Sequence, residues 1–356
     1  MGTYKNLIVI LILTLTFFSQ ETSSAKILAI SFISTKSHFI TYEPLLQALA
    51  DRGHEITIAN SVQTTKPAKN IRRIFTYDNE KRSGNMTNYI FLAKANEPNT
   101  SKFWEYLRNP YLDYVDYFVT ACTESYKIPE VQALKNETFD LIIFPAMGNE
   151  CLYGLIHHLK APTILFSQMT IAPFNVASFG NPMLPAVVPM VYYGFGERMN
   201  FWERTGNLFG VLYYEVTRMF YYLPKMEEIY GKYVRPGLPG VSETERNFSM
   251  ALVNSHFNFV PPRPLTPDVV EVGGMHLRGA KTLPQDFKDF CDGAKDGAVA
   301  KGFALQLKFS DISEETLLAT IQKLVNDKTY FEKAKFLSKL YHDHMEGPLE
   351  RAIYWV

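Results

Sequence analysis

His38 is the side chain in this sequence best placed to take a proton. It follows the short apolar run Lys26 to Phe32, which reads as a β-strand, and opens the helix that comes next. Open α/β sheets build their sites at the carboxyl ends of strands. Imidazole titrates near neutral pH, so a histidine there can serve as a general base; a helix-capping or loop histidine would occupy the same position. A base of this kind works best beside a carboxylate that orients its ring. Glu150 stands at the matching place, just past the apolar run 139–144 and at the start of another helix. A first-turn glutamate facing the helix dipole is the plainer reading of it.

The remaining polar groups offer less. His157 and His158 lie on a helix, and His54 begins a strand. His342, Asp343 and His344 look like a metal clip, but residues two apart on a helix do not face each other, so no metal site is expected. Gly194 and Gly196 form a lone GxG far from any strand-to-helix turn. The sequence holds no GxGxxG and no Walker pattern. Residues 275–356 contain no glycine-rich turn opening a helix, the arrangement in which backbone N–H groups cradle a diphosphate.

The elements that would position these groups follow from hydrophobic periodicity. Strand 26–32, a helix over 39–51 ended by Gly53, and strand 55–59 make a βαβ unit. The pattern continues with a mostly helical 100–133, strand 139–144, a helix from Glu150 to His158, and strand 163–166. Alternating strands and helices imply a doubly wound α/β domain. Residues 170–200 form a long irregular excursion rich in Pro, Gly and aromatics. Residues 200–233 return to a helix carrying Phe201, Trp202, Phe209 and Phe220 among other aromatics. That helix reads as a core or domain-interface element, or as a face lying on a membrane surface. The proline-rich stretch 260–267 (VPPRPLTP) is too stiff for a helix and reads as a linker. Beyond it come a strand-like 302–309 and helices near 313–326 and 329–342. One or two strands cannot make a parallel sheet covered on both faces, so the second half is incomplete, with exposed apolar surface expected there.

A length of 356 residues suggests two domains. The 36 basic and 36 acidic side chains cancel, so no basic footprint points to nucleic acid. Lys5, the apolar run Leu7 to Phe18 and the small residues Ser23, Ser24 and Ala25 read as a secretory signal peptide over 1–25, the run being too short to span a bilayer. Entry to the secretory pathway, in the endoplasmic reticulum lumen or beyond, agrees with sequons at Asn85, Asn99, Asn136 and Asn247. With Cys122, Cys151 and Cys291, the odd count leaves a free thiol or an intermolecular pair. No second stretch is long and apolar enough to span a membrane.

Several segments resemble one family. KILAISFISTKSHFITYEPLLQALADRGHEITIAN (26–60) resembles the first βαβ unit of insect UDP-glycosyltransferases. FDLIIFPAMGNECLYGLIHHLKAPTI (139–164), GNPMLPAVVP (180–189), MNFWERTGN (199–207) and LVNSHFNFVPPRPLTPDVVEVGGMH (252–276) are similar to later parts of the same family. The resemblance implies a GT-B fold: a complete acceptor-binding domain (26–259), a linker (260–274) and a UDP-sugar-binding domain, here a remnant over 275–356. It implies transfer of a hexose, with UDP-glucose the expected co-substrate and no metal, to a hydroxyl of a small lipophilic acceptor, a chemistry of detoxification. His38 falls at the family's base and Glu150 at the family's Asp, one methylene longer. After CDGAKDGAV (291–299) the family's donor signature, with its Trp-x-Pro-Gln, His-Gly-Gly and Asp-Gln elements, is not found. The sequence passes instead to GFALQLKFSDISEETLL, similar to the segment beyond it. The family's membrane helix and lysine tail are not found either. The expected outcome is an impaired enzyme, or a non-catalytic form that binds lipophilic ligands or pairs, as a homo- or hetero-oligomer, with full-length members.

Overall fold

The computed structural model describes residues 24–63, 68–78, 112, 114–146, 148–170, 173–182, 184–190, 195–196, 198–256, 260, 263–277, 313–343 and 345–356. Residues 1–23 of the expected signal peptide, Asn85, Asn99, Cys291, the strand expected over 302–309, residues 299–301 and His344 lie outside them.

β1 (Lys26–Ile30) runs into a short α1 (Lys36–Phe39) and then α2 (Glu43–Asp51), which Gly53 closes at φ +98°. β2 (Glu55–Asn60) and β3 (Ile71–Phe75) follow. α3 (Val115–Tyr126) and α4 (Pro129–Ala133) lead to β4 (Leu141–Pro145). A 3₁₀ turn (Glu150–Leu152) precedes α5 (Tyr153–Leu159), and β5 (Thr163–Ser167) and α6 (Pro173–Ser178) come next. The long aromatic helix is α7 (Phe201–Thr217), a π turn (Arg218–Tyr222) and α8 (Leu223–Tyr233). Asn200 and Glu203 start it with a reciprocal capping box. α9 (Val241–Glu245), β6 (Met250–Val253) and β7 (Val269–Glu271) complete this half. α10 (Glu314–Asn326), α11 (Lys328–His342) and α12 (Pro348–Trp355) end the chain.

Seven strands form one sheet in the order β3-β2-β1-β4-β5-β6-β7, every pair parallel. This is a doubly wound, Rossmann-like sheet. The central strands are buried on both faces, which is why they read as continuous apolar runs. Leu28, Ile30, Ile142 and Phe144 face a core roofed by α3, α5 and α8, while Ile27, Ala29, Ile143 and Phe166 face a second core with Leu45, Leu46 and Leu49 of α2. β3, at the edge, carries Arg72 and Arg73, which pair with Glu137 and Glu43; charge on an edge strand blunts further pairing.

Two boundaries differ from the sequence reading. The span 260–274, read as a linker, contributes β7 to the first sheet, since Val269 and Val270 have the apolar character to extend it beside β6. The last helix is not stranded. α12 buries Ala352 fully and sets Leu349, Ile353 and Val356 against the α2 side of the sheet, with Arg52 and Glu350 bonded across the junction at 2.8 Å. The expected exposure holds for α10 and α11, where Leu318 and Phe336 face solvent. Among the described residues no helix is long and apolar enough to cross a membrane.

Gly154 on α5 shows how tightly the first core is filled. A Cβ there would lie 2.5 Å from the ring of the buried Tyr230. Gly154→Ala is therefore expected to lower unfolding free energy by about 1–3 kcal/mol, the usual cost of overpacking, read as a reduced urea midpoint.

Candidate functional site

The strand order reverses between β1 and β4: β1 is followed outward by β2 and β3, and β4 opens the other half. Loops leaving such a pair diverge and leave a crevice at the carboxyl edge, the usual ligand site of open α/β sheets. His38 lies past the end of β1 and Glu150 past the end of β4, so both sequence candidates lie at this edge of the sheet.

His38 sits in the single turn α1. Thr35 caps that turn, its Oγ1 accepting from His38 N, and the Thr41 hydroxyl donates to His38 O at 2.5 Å. The ring is half-buried, and burial lowers its pKa below the ordinary histidine value. At neutral pH the imidazole is thus neutral and able to accept a proton.

Glu150 is almost fully buried. Its Oε2 accepts from the Tyr222 hydroxyl at 2.6 Å. Close by, Tyr153 donates to Glu245 Oε1 at 3.0 Å, and Arg218 forms a buried ion pair with Glu245. Glu150 and Glu245 thus lie near each other in the core, with Arg218 paired to Glu245. Burial outweighs Arg218 and, helped by the neighbouring Glu150, pushes Glu245 up to about 7. Burial likewise raises the Tyr153 and Tyr222 hydroxyls, with Glu245 and Glu150 respectively adding to the shift. Among the described residues no hydrogen bond joins His38 to Glu150. The structure brings them to one edge of the sheet without a direct contact.

The residue that ties the two loops is Asn149, which sequence reasoning passed over. It is fully buried; its Oδ1 accepts from Ile33 N at 2.8 Å and its Nδ2 donates to Ile33 O at 3.1 Å. Before it, Gly148 adopts φ +72°, and a Cβ there would meet the Phe118 ring at 2.9 Å. After Glu150, Cys151 forms a disulfide with Cys122 of α3, and its carbonyl accepts from Tyr126 at 2.8 Å. Phe118 also packs edge-on against Tyr222. The Glu150 turn is therefore held from three sides.

Among the described residues no group of three or more His, Cys, Asp or Glu side chains could hold a metal ion. A shallow cleft of about 440 Å³ opens at the opposite, amino-terminal edge of the sheet, beside Lys26, Glu55 and Arg72 and away from His38. Of the sequons, Asn136 and Asn247 are exposed.

Comparison with known proteins assigns a family. The family model described as UDP-glucoronosyl and UDP-glucosyl transferase matches residues 25–300 and 294–356. UDP-glucosyltransferase 2 of Dactylopius coccus is 24% identical over 453 residues, covering 97% of this chain and 86% of that protein. UDP-glycosyltransferase UGT4 of the same organism is 28% identical over 277 residues, covering 75% of this chain and 52% of that one. Human UDP-glucuronosyltransferase 2B17 is 26% identical over 321 residues, covering 86% and 59%. The chain thus spans little more than half the length of the latter two. The solved glycosyltransferase of kitacinnamycin aligns over 93% of this chain and 98% of its own, at 12% identity and a TM-score of 0.44.

The buried carboxylate pair gives a pH signature. Glu245 has a folded pKa raised above its unfolded value, so the folded state binds the proton more tightly. Its contribution to stability is full below the unfolded pKa and is lost as pH rises through about 7. The urea midpoint is expected to fall between pH 5 and pH 8, and Glu245→Gln is expected to flatten that fall.

Proposed function

The chain belongs to the UDP-glucoronosyl and UDP-glucosyl transferase family, and from that premise we propose that its first domain holds a small lipophilic acceptor with a hydroxyl presented to His38. The observation that carries this reading is the half-buried imidazole, its pKa lowered by burial, at the carboxyl edge where the sheet order reverses. His38 takes the hydroxyl proton as the acceptor oxygen attacks the anomeric carbon of a UDP-hexose, UDP-glucose being the donor proposed, with inversion at that carbon. The sugar–phosphate bond breaks as the new bond forms, and UDP leaves with the electron pair. Glu150 is the carboxylate proposed to steady the imidazolium. Tyr222 occupies its Oε2, so Oε1 is the atom assigned to His38.

A second reading concerns this chain in particular. The family match is broken at 294–300, and the alignment with the D. coccus UDP-glucosyltransferase 2 runs over 453 positions against 356 residues here. Both support a donor-binding core that is missing between Val299 and Lys301. General-base catalysis supplies typically ~10²–10⁴-fold, but it requires a donor held in near-attack geometry and stabilisation of the leaving diphosphate. We propose that the chain binds acceptors yet transfers sugar poorly or not at all, acting as a ligand binder or as a partner of full-length members. The Cys122–Cys151 disulfide supports maturation in an oxidising compartment, the endoplasmic reticulum lumen or the secreted state, with glycans at the exposed Asn136 and Asn247.

Calorimetry with UDP-glucose tests the donor half: no micromolar binding is expected. Tight donor binding with robust turnover, abolished by His38→Ala, would overturn the reading. NMR titration of the His38 ring tests the dyad. Glu150→Gln removes a nearby negative charge and should lower the His38 pKa further; an unchanged titration separates the two residues.

A further inference from the structure

We propose that the outer face of α7 and the π turn lies on an anionic lipid bilayer. This inference is independent of catalysis and rests on what the long helix turns outward. Its inner positions, Asn207, Val211, Tyr214, Arg218 and Tyr222, are buried against the domain. The outer ones are large and apolar. Phe201 is 70% exposed, Trp202 77%, Phe209 65% and Phe220 73%. Leu208, Leu212, Val216 and Met219 fill the stripe between them, also exposed. At 1.5 Å per residue the stripe runs about 33 Å. Contiguous exposed apolar surface on this scale marks a contact surface.

Three features favour lipid over a protein partner. First, the stripe offers almost no hydrogen-bonding group, whereas protein interfaces carry about one hydrogen bond per 100–200 Å². Glu203 is closed into the capping box, Arg204 donates to the carbonyls of Met199 and Ala186, and the Thr205 hydroxyl donates to Phe201 O. Glu215, at the margin, has its carboxyl pushed up by burial, toward the neutral form. Second, the stripe exposes Trp202 and Tyr221, amphipathic rings of the kind that settle at headgroup level. Third, cations flank the stripe. Arg198 is exposed before it, and Lys225 beyond it holds its ammonium 5.0 Å over the Tyr221 ring. Lys232 follows one helical stretch later, beside Tyr233. The opposing acids on α8 are Glu227, whose Oε1 already accepts from Val241 N, and the exposed Glu228. A hydrophobic stripe between cations is the pattern that binds anionic headgroups while burying its apolar side.

The test is flotation of the full chain with phosphatidylcholine vesicles, with and without phosphatidylserine. The wild type is expected to float with vesicles, more strongly when phosphatidylserine is present and less so in high salt. Phe209→Glu combined with Phe220→Glu alters two exposed side chains, so its circular dichroism and melting should match the wild type. Its partition coefficient is expected to drop at least about tenfold, equivalent to about 1.4 kcal/mol. A wild type that remains unbound with both vesicle types overturns the proposal, as does a double variant that floats equally well. Light scattering provides the remaining arm. A wild-type dimer that the double variant splits, with no vesicle binding, would assign the face to a second copy of the chain and overturn the lipid assignment.

Discussion

The parallel pairing of β1 with β4 is the constraint from which the site follows. Because the sheet winds outward in both directions from that pair, the loops that leave the two strands must separate, and backbone groups at their divergence lose the ladder partners they would otherwise have. Buried backbone polar groups must be satisfied. Asn149 answers this demand with one side chain, accepting from Ile33 N and donating to Ile33 O. The loop that carries His38 leaves β1 freely because the strands diverge, and its start is fixed to the loop after β4 by that amide.

The same economy explains the surroundings of Glu150. A carboxylate this deep is costly unless hydrogen-bonded, and its support comes from the long aromatic helix. Inward positions on that helix run 207, 211, 214, 218, 222 and 226. Steps of four in succession drift away from the face of a regular α-helix, whose repeat is 3.6 residues. The π turn at Arg218–Tyr222 takes up that drift. It brings Arg218 to Glu245 and Tyr222 to Glu150, and it leaves Met219, Phe220 and Tyr221 facing outward together. One irregular turn thus serves the buried polar cluster on one side and the apolar outer stripe on the other.

The doubly wound core was legible because its strands are apolar and its first helix ends in a glycine. His38 and Glu150 were legible as residues that follow strands. Other features carried no such signal. β3 reads as charged because Arg72 and Arg73 sit on an edge where pairing is blunted by charge rather than sealed by apolar contacts. β6 and β7 are short, and β7 comes directly after a proline-rich stretch. Asn149 is an ordinary loop asparagine until its two bonds to Ile33 are seen. With three cysteines, pairing could not be read from spacing, whereas the packing of α3 against the turn after β4 joins Cys122 to Cys151.

α12 was also unread, and it bears on what the loss of a donor core would do. A parallel sheet needs both faces covered. On the α2 side, part of that cover comes from residues 349–356, which return to the first domain and bury Ala352 beside Leu45 and Leu49. Arg351 reinforces the seat, reaching the carbonyl of Glu271 at the end of β7. The segment read as a remnant of the second domain is therefore, at its end, a structural part of the first. A sequence that kept 348–356 while losing the middle of its second domain would retain the closure of its first. It would also retain the buried cluster of Glu150, Tyr222, Arg218 and Glu245. Residues 314–342, whose helices leave Leu318 and Phe336 in solvent, would bear the consequence of the loss instead.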